Sequence, residues 1–322
     1  MILAGIDEAG YGPLLGPLVV GCSAWRINDL PGEDFPCLWT PLRRVLSKRR
    51  SAAGQKLHVN DSKVVYSPSA GLKELERSVL AIAHSIHGPC ADLDSFVDQT
   101  ASHALSDLAG YSWYQASADE TFPISQDAIS IGIPANALAV EMRKNQISCV
   151  HMAARVVCER QLNAMFQATR NKASALFSIS AIHLDYLLRN FGNQSLTIVC
   201  DRQGGREHYG SLLRLMFEEW ALEVTRESDG DSEYRLTRNG HMARLFFWEK
   251  SEEKCLPVAV AAMLSKYLRE ALMRRFNAFW AAHLPLVSPT AGYYTDGLRF
   301  LRDIEPKRRE LGITDAQLIR CR

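Results

Sequence analysis

The stretch Met1-Ile2-Leu3-Ala4-Gly5-Ile6-Asp7-Glu8-Ala9-Gly10-Tyr11-Gly12-Pro13 decides the fold. Residues 2–7 form an apolar run that ends in acid and then in glycine, the pattern of a buried strand entering a turn. Side chains alternate faces along a strand, so adjacent acids share one site only where the strand ends or twists. Gly10 and Gly12 supply that break, and they let another backbone, or a phosphate, come close. A solvated acid pair at a strand end would leave the same letters, so Asp7 and Glu8 gain meaning only from partners elsewhere.

Working outward, residues 17–27 (PLVVGCSAWRI) read as a second strand, followed by a basic stretch at 43–50 and a polar loop at 51–61. Leu72, Leu75, Val79, Ile82, Ala83 and Ile86 recur at helix spacing over 71–87. Residues 88–146 hold three prolines and the aromatic knot Tyr111-Ser112-Trp113-Tyr114, and read as an insertion. Ile147, Val150, Ala154, Val157, Cys158, Leu162 and Met165 predict a helix over 147–170, with a second at about 174–191. Leu196 to Cys200 is a strand ending at Asp201, ahead of the turn Gln203-Gly204-Gly205. Three alternating runs between 222 and 249 are broken at Asp229-Gly230-Asp231 and Asn239-Gly240, which predicts an antiparallel meander. Pro257 opens a long helix. The expectation is a mixed α/β fold.

The 322 residues allow one large domain or two modest ones. With 47% apolar and 23% charged residues, the chain is neither wholly disordered, collagen-like nor a small disulfide scaffold. A net charge of +1 points to neither nucleic acid nor membrane, so any basic footprint must be local. No apolar run is long enough to span a membrane, and the first ten residues lack the basic start of a signal peptide. Eight cysteines without a C-x-x-C pair suggest reduced core thiols in a cytoplasmic protein. The nine histidines show no ligand spacing with one another or with cysteine, so no transition-metal site is expected. Ser62-Lys63 lacks the surroundings of a Ser-Lys nucleophile, and no phosphate-binding P-loop motif occurs.

Asp201 repeats the first pattern, a carboxylate at the carboxyl end of an apolar strand, where ligand and metal sites gather in α/β sheets. Ser251-Glu252-Glu253 precedes the Pro257 helix, a place where the helix dipole alone favours acids. Brought together, such carboxylates could hold two hard cations such as Mg²⁺, which activate a water and stabilise the leaving oxygen of a phosphodiester. Without cations they repel, and at least one pKa should rise.

At this point the residues resemble a known family. Gly5-Ile6-Asp7-Glu8-Ala9-Gly10-Tyr11-Gly12-Pro13 with Gly16-Pro17-Leu18-Val19-Val20 resembles the opening motif of the type 2 ribonucleases H, ribonuclease HII and HIII. In the family's order follow Asn60-Asp61-Ser62-Lys63, Val199-Cys200-Asp201, Lys250-Ser251-Glu252, Ala262-Met263-Leu264-Ser265-Lys266 and Gly292-Tyr293-Tyr294-Thr295. The resemblance implies one ribonuclease H-like domain over 1–322, a mixed sheet flanked by helices, with insertions at 88–146 and 202–249 and a carboxyl-terminal helical extension. It implies hydrolysis of the RNA strand of RNA–DNA hybrids with Mg²⁺ or Mn²⁺, leaving 3′-hydroxyl and 5′-phosphate ends. Asp7, Glu8, Asp201 and Glu252 would be catalytic metal ligands. Gly10, Tyr11, Gly12, Ser62, Lys63, Lys266 and Tyr293 would meet the substrate. A monomer in the cytoplasm, with nucleic acid as partner and no membrane, completes the expectation.

The sequence departs from the family in four places. Tyr11 stands where ribonuclease HII has arginine, Glu252 replaces an aspartate, the interval from Asp201 to Glu252 is longer, and residues 88–146 have no counterpart. Glu249 and Glu253 compete with Glu252 for the fourth position. Arg43, Arg44, Lys48, Arg49 and Arg50, and Lys307-Arg308-Arg309, are either solvated helix faces or phosphate contacts. The aromatic knot reads as a buried cluster rather than a base-stacking platform. A catalytically weakened nucleic-acid-binding protein, or a nuclease for structured DNA, remains the alternative.

Overall fold

Ile2–Ala9 (β1) and Leu18–Ile27 (β2) are apolar at almost every position because both faces of their sheet are covered. The computed structural model describes residues 1–28, 35–51 and 54–321; positions 52–53 of the expected polar loop lie outside them. The other strands of the main sheet are Ile147–Val157 (β3), Leu196–Asp201 (β4), Ala221–Ser228 (β5), Asp231–Arg238 (β6) and His241–Trp248 (β7). They form one seven-stranded mixed sheet in the order β3-β2-β1-β4-β7-β6-β5. β1, β4 and β7 run parallel to one another, and the other pairings are antiparallel. The expected α/β sheet flanked by helices is present. Within the meander, Asn239 and Gly240 both have positive φ, as a tight hairpin turn requires.

Lys73–His87 (α1), Leu93–Ala101 (α2), Ala128–Lys144 (α3), Glu159–Thr169 (α4), Lys172–Phe191 (α5), Leu256–His283 (α6) and Tyr294–Glu310 (α7) are the main helices. Two apolar layers lie on the two faces of the sheet. One includes Trp25, Phe96, Tyr267, Phe276 and Trp280. The other includes Leu162, Phe177, Leu184, Tyr209 and Phe247. Glycines let α6 lie against the strands: a Cβ on Gly5 would fall 2.2 Å from the Val258 nitrogen, and one on Gly21 would fall 2.4 Å from the Ala261 oxygen. No helix among the described residues is long and apolar enough to cross a membrane.

Two sequence expectations are corrected. Residues 147–170 are not one helix: 147–157 form an edge strand, and the helix begins only at Glu159. The apolar residues of 147–157 fit both periods, and pairing with β2 chose the strand. The basic stretch 43–50 is a turn leading into the two-residue strand Leu46–Ser47, not a helix face. The aromatic knot is the buried cluster expected of it, with Tyr111, Trp113 and Tyr114 all under 5% exposed.

Residues 88–146 pack on α1 and β3. Buried Glu76 accepts hydrogen bonds from the Ile124 and Ser125 nitrogens (2.7 and 2.6 Å) and from the Tyr267 hydroxyl (2.8 Å). Buried Arg275 pairs with Glu120 at 2.7 Å and Asp94 at 2.6 Å. These polar contacts join the segment to α6 and leave both charges partnered.

Candidate active site

The carboxyl ends of three adjacent parallel strands define the site. Ile6 is in register with Cys200, so Asp7 and Asp201 follow at neighbouring strand ends. Asp201 is in turn in register with Trp248, the last residue of β7. Beyond Trp248, Lys250 adopts the left-handed conformation (φ 54°) and turns the chain into the short helix Ser251–Lys254. That turn delivers Glu252 beside Asp201, whose side chains share a hydrogen-bonding contact.

Asp201 Oδ1 accepts from the Ser251 nitrogen at 3.1 Å and the Ser251 hydroxyl at 3.0 Å. The Asp7 carboxylate accepts from the Glu8 nitrogen at 2.6 Å, while the Ser265 hydroxyl of α6 donates to the Asp7 carbonyl at 3.1 Å. Ser251 and Ser265 lie inside the quoted motifs, but nothing in their spacing shows which acid each one fixes. Of the three competing glutamates, Glu252 is buried (8% exposed), Glu253 is exposed, and Glu249 lies out toward Arg202 at 3.8 Å.

Burial raises all four acids, and repulsion from neighbouring carboxylates adds to it at Asp7, Glu8 and Glu252. Asp7 lies well above the ordinary aspartate value through burial and the charges of Glu8, Asp201 and Glu252. Glu8 is pushed up to about 8 by burial and by Asp201. Glu252 is pushed up to about 7 by burial and by Asp201. Asp201 is raised by burial, opposed by its Ser251 hydrogen bonds. The charge of Lys63 favours the ionised forms of both Glu8 and Asp201.

The donors fit hard divalent cations. All are carboxylate oxygens, the ligand type that Mg²⁺ and Mn²⁺ take. Glu8 Oε2 and Glu252 Oε2 are buried without a hydrogen-bond partner. Such orphaned acceptors are costly unless something positive meets them.

The other expected residues fall into separate places. Gly10 has φ +89°, and a Cβ there would lie 2.6 Å from Arg269 Nε; Gly12 is exposed with open space around it. The Tyr11 hydroxyl packs on the glycine turn after Asp201, 3.1 Å from where a Gly204 Cβ would stand. Ser62 is buried and Lys63 exposed on the short helix Ser62–Val65, capped by Asp61. Lys266 is not free for a phosphate: it pairs with Glu270 at 2.7 Å and lies over the Tyr66 ring. The Tyr66 hydroxyl donates to Glu270 at 2.9 Å. Tyr293 is 53% exposed at the start of α7, near Tyr66.

The basic clusters separate cleanly. Lys48 Nζ donates to the Glu253 carbonyl at 2.6 Å, which sets the exposed 43–50 stretch beside the Glu252 turn. Lys307, Arg308 and Arg309 instead pair with Glu310, Glu305 and Asp315.

No protein-family model matches the chain. Ribonuclease HII of Gluconobacter oxydans (strain 621H) is 32% identical over 82 residues, 26% of this chain and 39% of that protein, so the match spans well under half of the relative. Among solved structures, ribonuclease HII from Archaeoglobus fulgidus, in a complex with PCNA, is 15% identical (100% of this chain, 95% of that chain, TM-score 0.42). Ribonuclease H2 from Pyrococcus horikoshii OT3 is 12% identical (99% and 92%, TM-score 0.40). Bst-ribonuclease HIII in complex with Mn²⁺ is 12% identical (99% and 66%, TM-score 0.42).

Proposed function

We propose that this chain, which resembles the type 2 ribonucleases H, is a metal-dependent endonuclease. In this reading it cuts the RNA strand of RNA–DNA hybrids to 3′-hydroxyl and 5′-phosphate ends by a two-metal route. The observation that carries it is the meeting of Asp7, Glu8, Asp201 and Glu252 at three neighbouring strand ends, with two buried carboxylate oxygens unpartnered. The relative named ribonuclease HII supports it.

Asp7, Glu8, Asp201 and Glu252 would hold the cations. When bound, Mg²⁺ or Mn²⁺ would neutralise the cluster, activate the attacking water and stabilise the leaving oxygen. Ser251 holds one oxygen of Asp201 and so orients the other. Ser265 fixes the backbone that carries Asp7. Open space at Gly12 admits the sugar–phosphate backbone, where contact with the 2′-hydroxyl separates RNA from DNA. Exposed Lys63 and the 43–50 rim would neutralise flanking phosphates, making affinity salt-dependent. Tyr293 presents a ring to pack against a sugar. Lys266, already paired with Glu270, would position Tyr66 and Glu270 beside that ring rather than bind phosphate itself.

The test is a cleavage assay on all-DNA, hybrid and single-ribonucleotide duplexes, titrated with Mg²⁺ or Mn²⁺ and repeated with chelator. Metal-dependent products from RNA-containing duplexes alone support the proposal. Salt-sensitive binding without product overturns it in favour of a binding protein, and cleavage of DNA overturns its substrate.

A further inference from the structure

On the sheet face away from α6, β2, the edge strand β3 and α5 bring together three side chains that no sequence spacing links. Cys22, His151 and His183 offer one sulfur and two ring nitrogens, all within 4.8 Å of one another. We propose that these three residues bind a single zinc-class cation, independently of the carboxylate site.

The donor chemistry selects the ion. A thiolate with two imidazoles suits Zn²⁺ and its neighbours and is poor for Mg²⁺, which takes oxygen. Three protein ligands leave a fourth tetrahedral position for water, and partly exposed His151 is the side from which water and metal enter.

The surroundings orient the rings as metal-bound imidazoles are usually oriented. His183 Nε2 lies 3.0 Å from the Val20 carbonyl, which can only accept, so Nε2 carries the proton and Nδ1 keeps its lone pair. The His151 ring stacks on Tyr186 with centroids 4.1 Å apart and planes 19° from parallel. Arg155 and His103 also lie near His183, and the negative charge of a Cys22 thiolate offsets them. Binding therefore displaces the thiol proton to solvent.

The physical effect is a staple. Cys22 sits on β2, His151 on the sheet's edge strand and His183 on the covering helix, so one ion ties three elements by contacts unavailable to the unfolded chain.

The whole protein, stripped with chelator, is titrated with Co²⁺ and the thiolate-to-cobalt charge-transfer band recorded. A band saturating at one equivalent and displaced by Zn²⁺ is expected; oxygen ligands at the carboxylate site give no such band. Cys22→Ser should abolish it, whereas replacing the two exposed cysteines (Cys37→Ser, Cys321→Ser) should keep it. His151→Gln, at a partly exposed position where the fold is least threatened, should weaken Co²⁺ binding about a hundredfold and remove any Zn²⁺-induced rise in Tm. No band in the natural protein, or a band that survives Cys22→Ser, overturns the proposal.

Discussion

Arg320 donates from its guanidinium to the main-chain carbonyl of Gly10 at 2.5 Å, joining positions 310 residues apart. A second nitrogen reaches the Tyr11 carbonyl at 3.0 Å, and the Arg320 backbone nitrogen reaches the Leu14 carbonyl at 2.9 Å. The side chain is 3% exposed, and burial lowers its pKa to about 10. The glycine turn beside the carboxylates is thus held from a distant segment, itself tied to Asn163 of α4 through Ile319 and Cys321.

Replacing Arg320 with Met removes two charge-assisted hydrogen bonds, at a cost of about 2–4 kcal/mol. Tm should fall, and hybrid binding should weaken more than divalent-cation binding measured by calorimetry. Equal loss of both would show that the turn and the acid cluster are not separately held.

Asp201→Asn keeps the size of the side chain and its Ser251 contacts but removes a charge from the cluster. Metal-dependent hybrid cleavage should drop on the order of 10³-fold, with hybrid binding in chelator little changed. Gel-shift and cleavage measurements on one preparation decide it. Full activity would remove Asp201 from the site.

Stability should depend on pH in a cation-sensitive way. Glu8 and Glu252 titrate at about 8 and about 7 in the folded chain, against 4.5 as their ordinary value. The folded state therefore holds more protons between about pH 4.5 and 8, and stability falls as pH rises through that window. The slope is at most about 1.4 kcal/mol per pH unit for each group. In chelator, Tm should decline from about pH 6.5 to pH 8, above the range where the buried neutral histidines His151 and His183 act with the opposite sign; Mg²⁺ or Mn²⁺ should flatten the decline, because cations replace the protons. A Tm that rises over this range would contradict the sign.

Gly5→Ala places a methyl 2.2 Å from the Val258 nitrogen and 2.3 Å from the Pro257 carbonyl carbon, neither of which can swing aside. The expected cost is about 3 kcal/mol, read as a lower denaturation midpoint. The same change at Gly12, which faces open space, should leave stability nearly untouched.

Tyr11→Arg would put a cation at the half-buried position between the two glycines of the turn. Affinity for a duplex carrying one ribonucleotide should increase, and the slope of log K against log salt should steepen by about one. An unchanged slope would mean that position 11 does not face a phosphate.

Much of this arrangement was legible because it is written locally. The acids at strand ends, the Asn239-Gly240 hairpin and the Pro257 helix each follow from neighbours within a few residues. The 147–157 strand was not legible, since its apolar spacing suits two periods and only the partner β2 decides between them. Nor was the choice of Glu252 over Glu249 and Glu253, which rests on the left-handed turn at Lys250. Cys22, His151 and His183 share a face only after folding, and Arg320 carries no local signal of the turn it holds.

The ladder joining β1, β4 and β7 has a thermodynamic corollary. Mutually repelling acids would ordinarily drift apart, but Asp7, Glu8 and Asp201 are mounted on strands whose own hydrogen bonds forbid it, and Glu252 is held by the turn that follows β7. The ordering entropy of the four side chains is already lost in the fold. A cation arriving there, as the proposed function requires, would meet a rigid and partly protonated set of acids, and its affinity would be governed by dehydration of the ion and displacement of those protons rather than by any rearrangement of the chain.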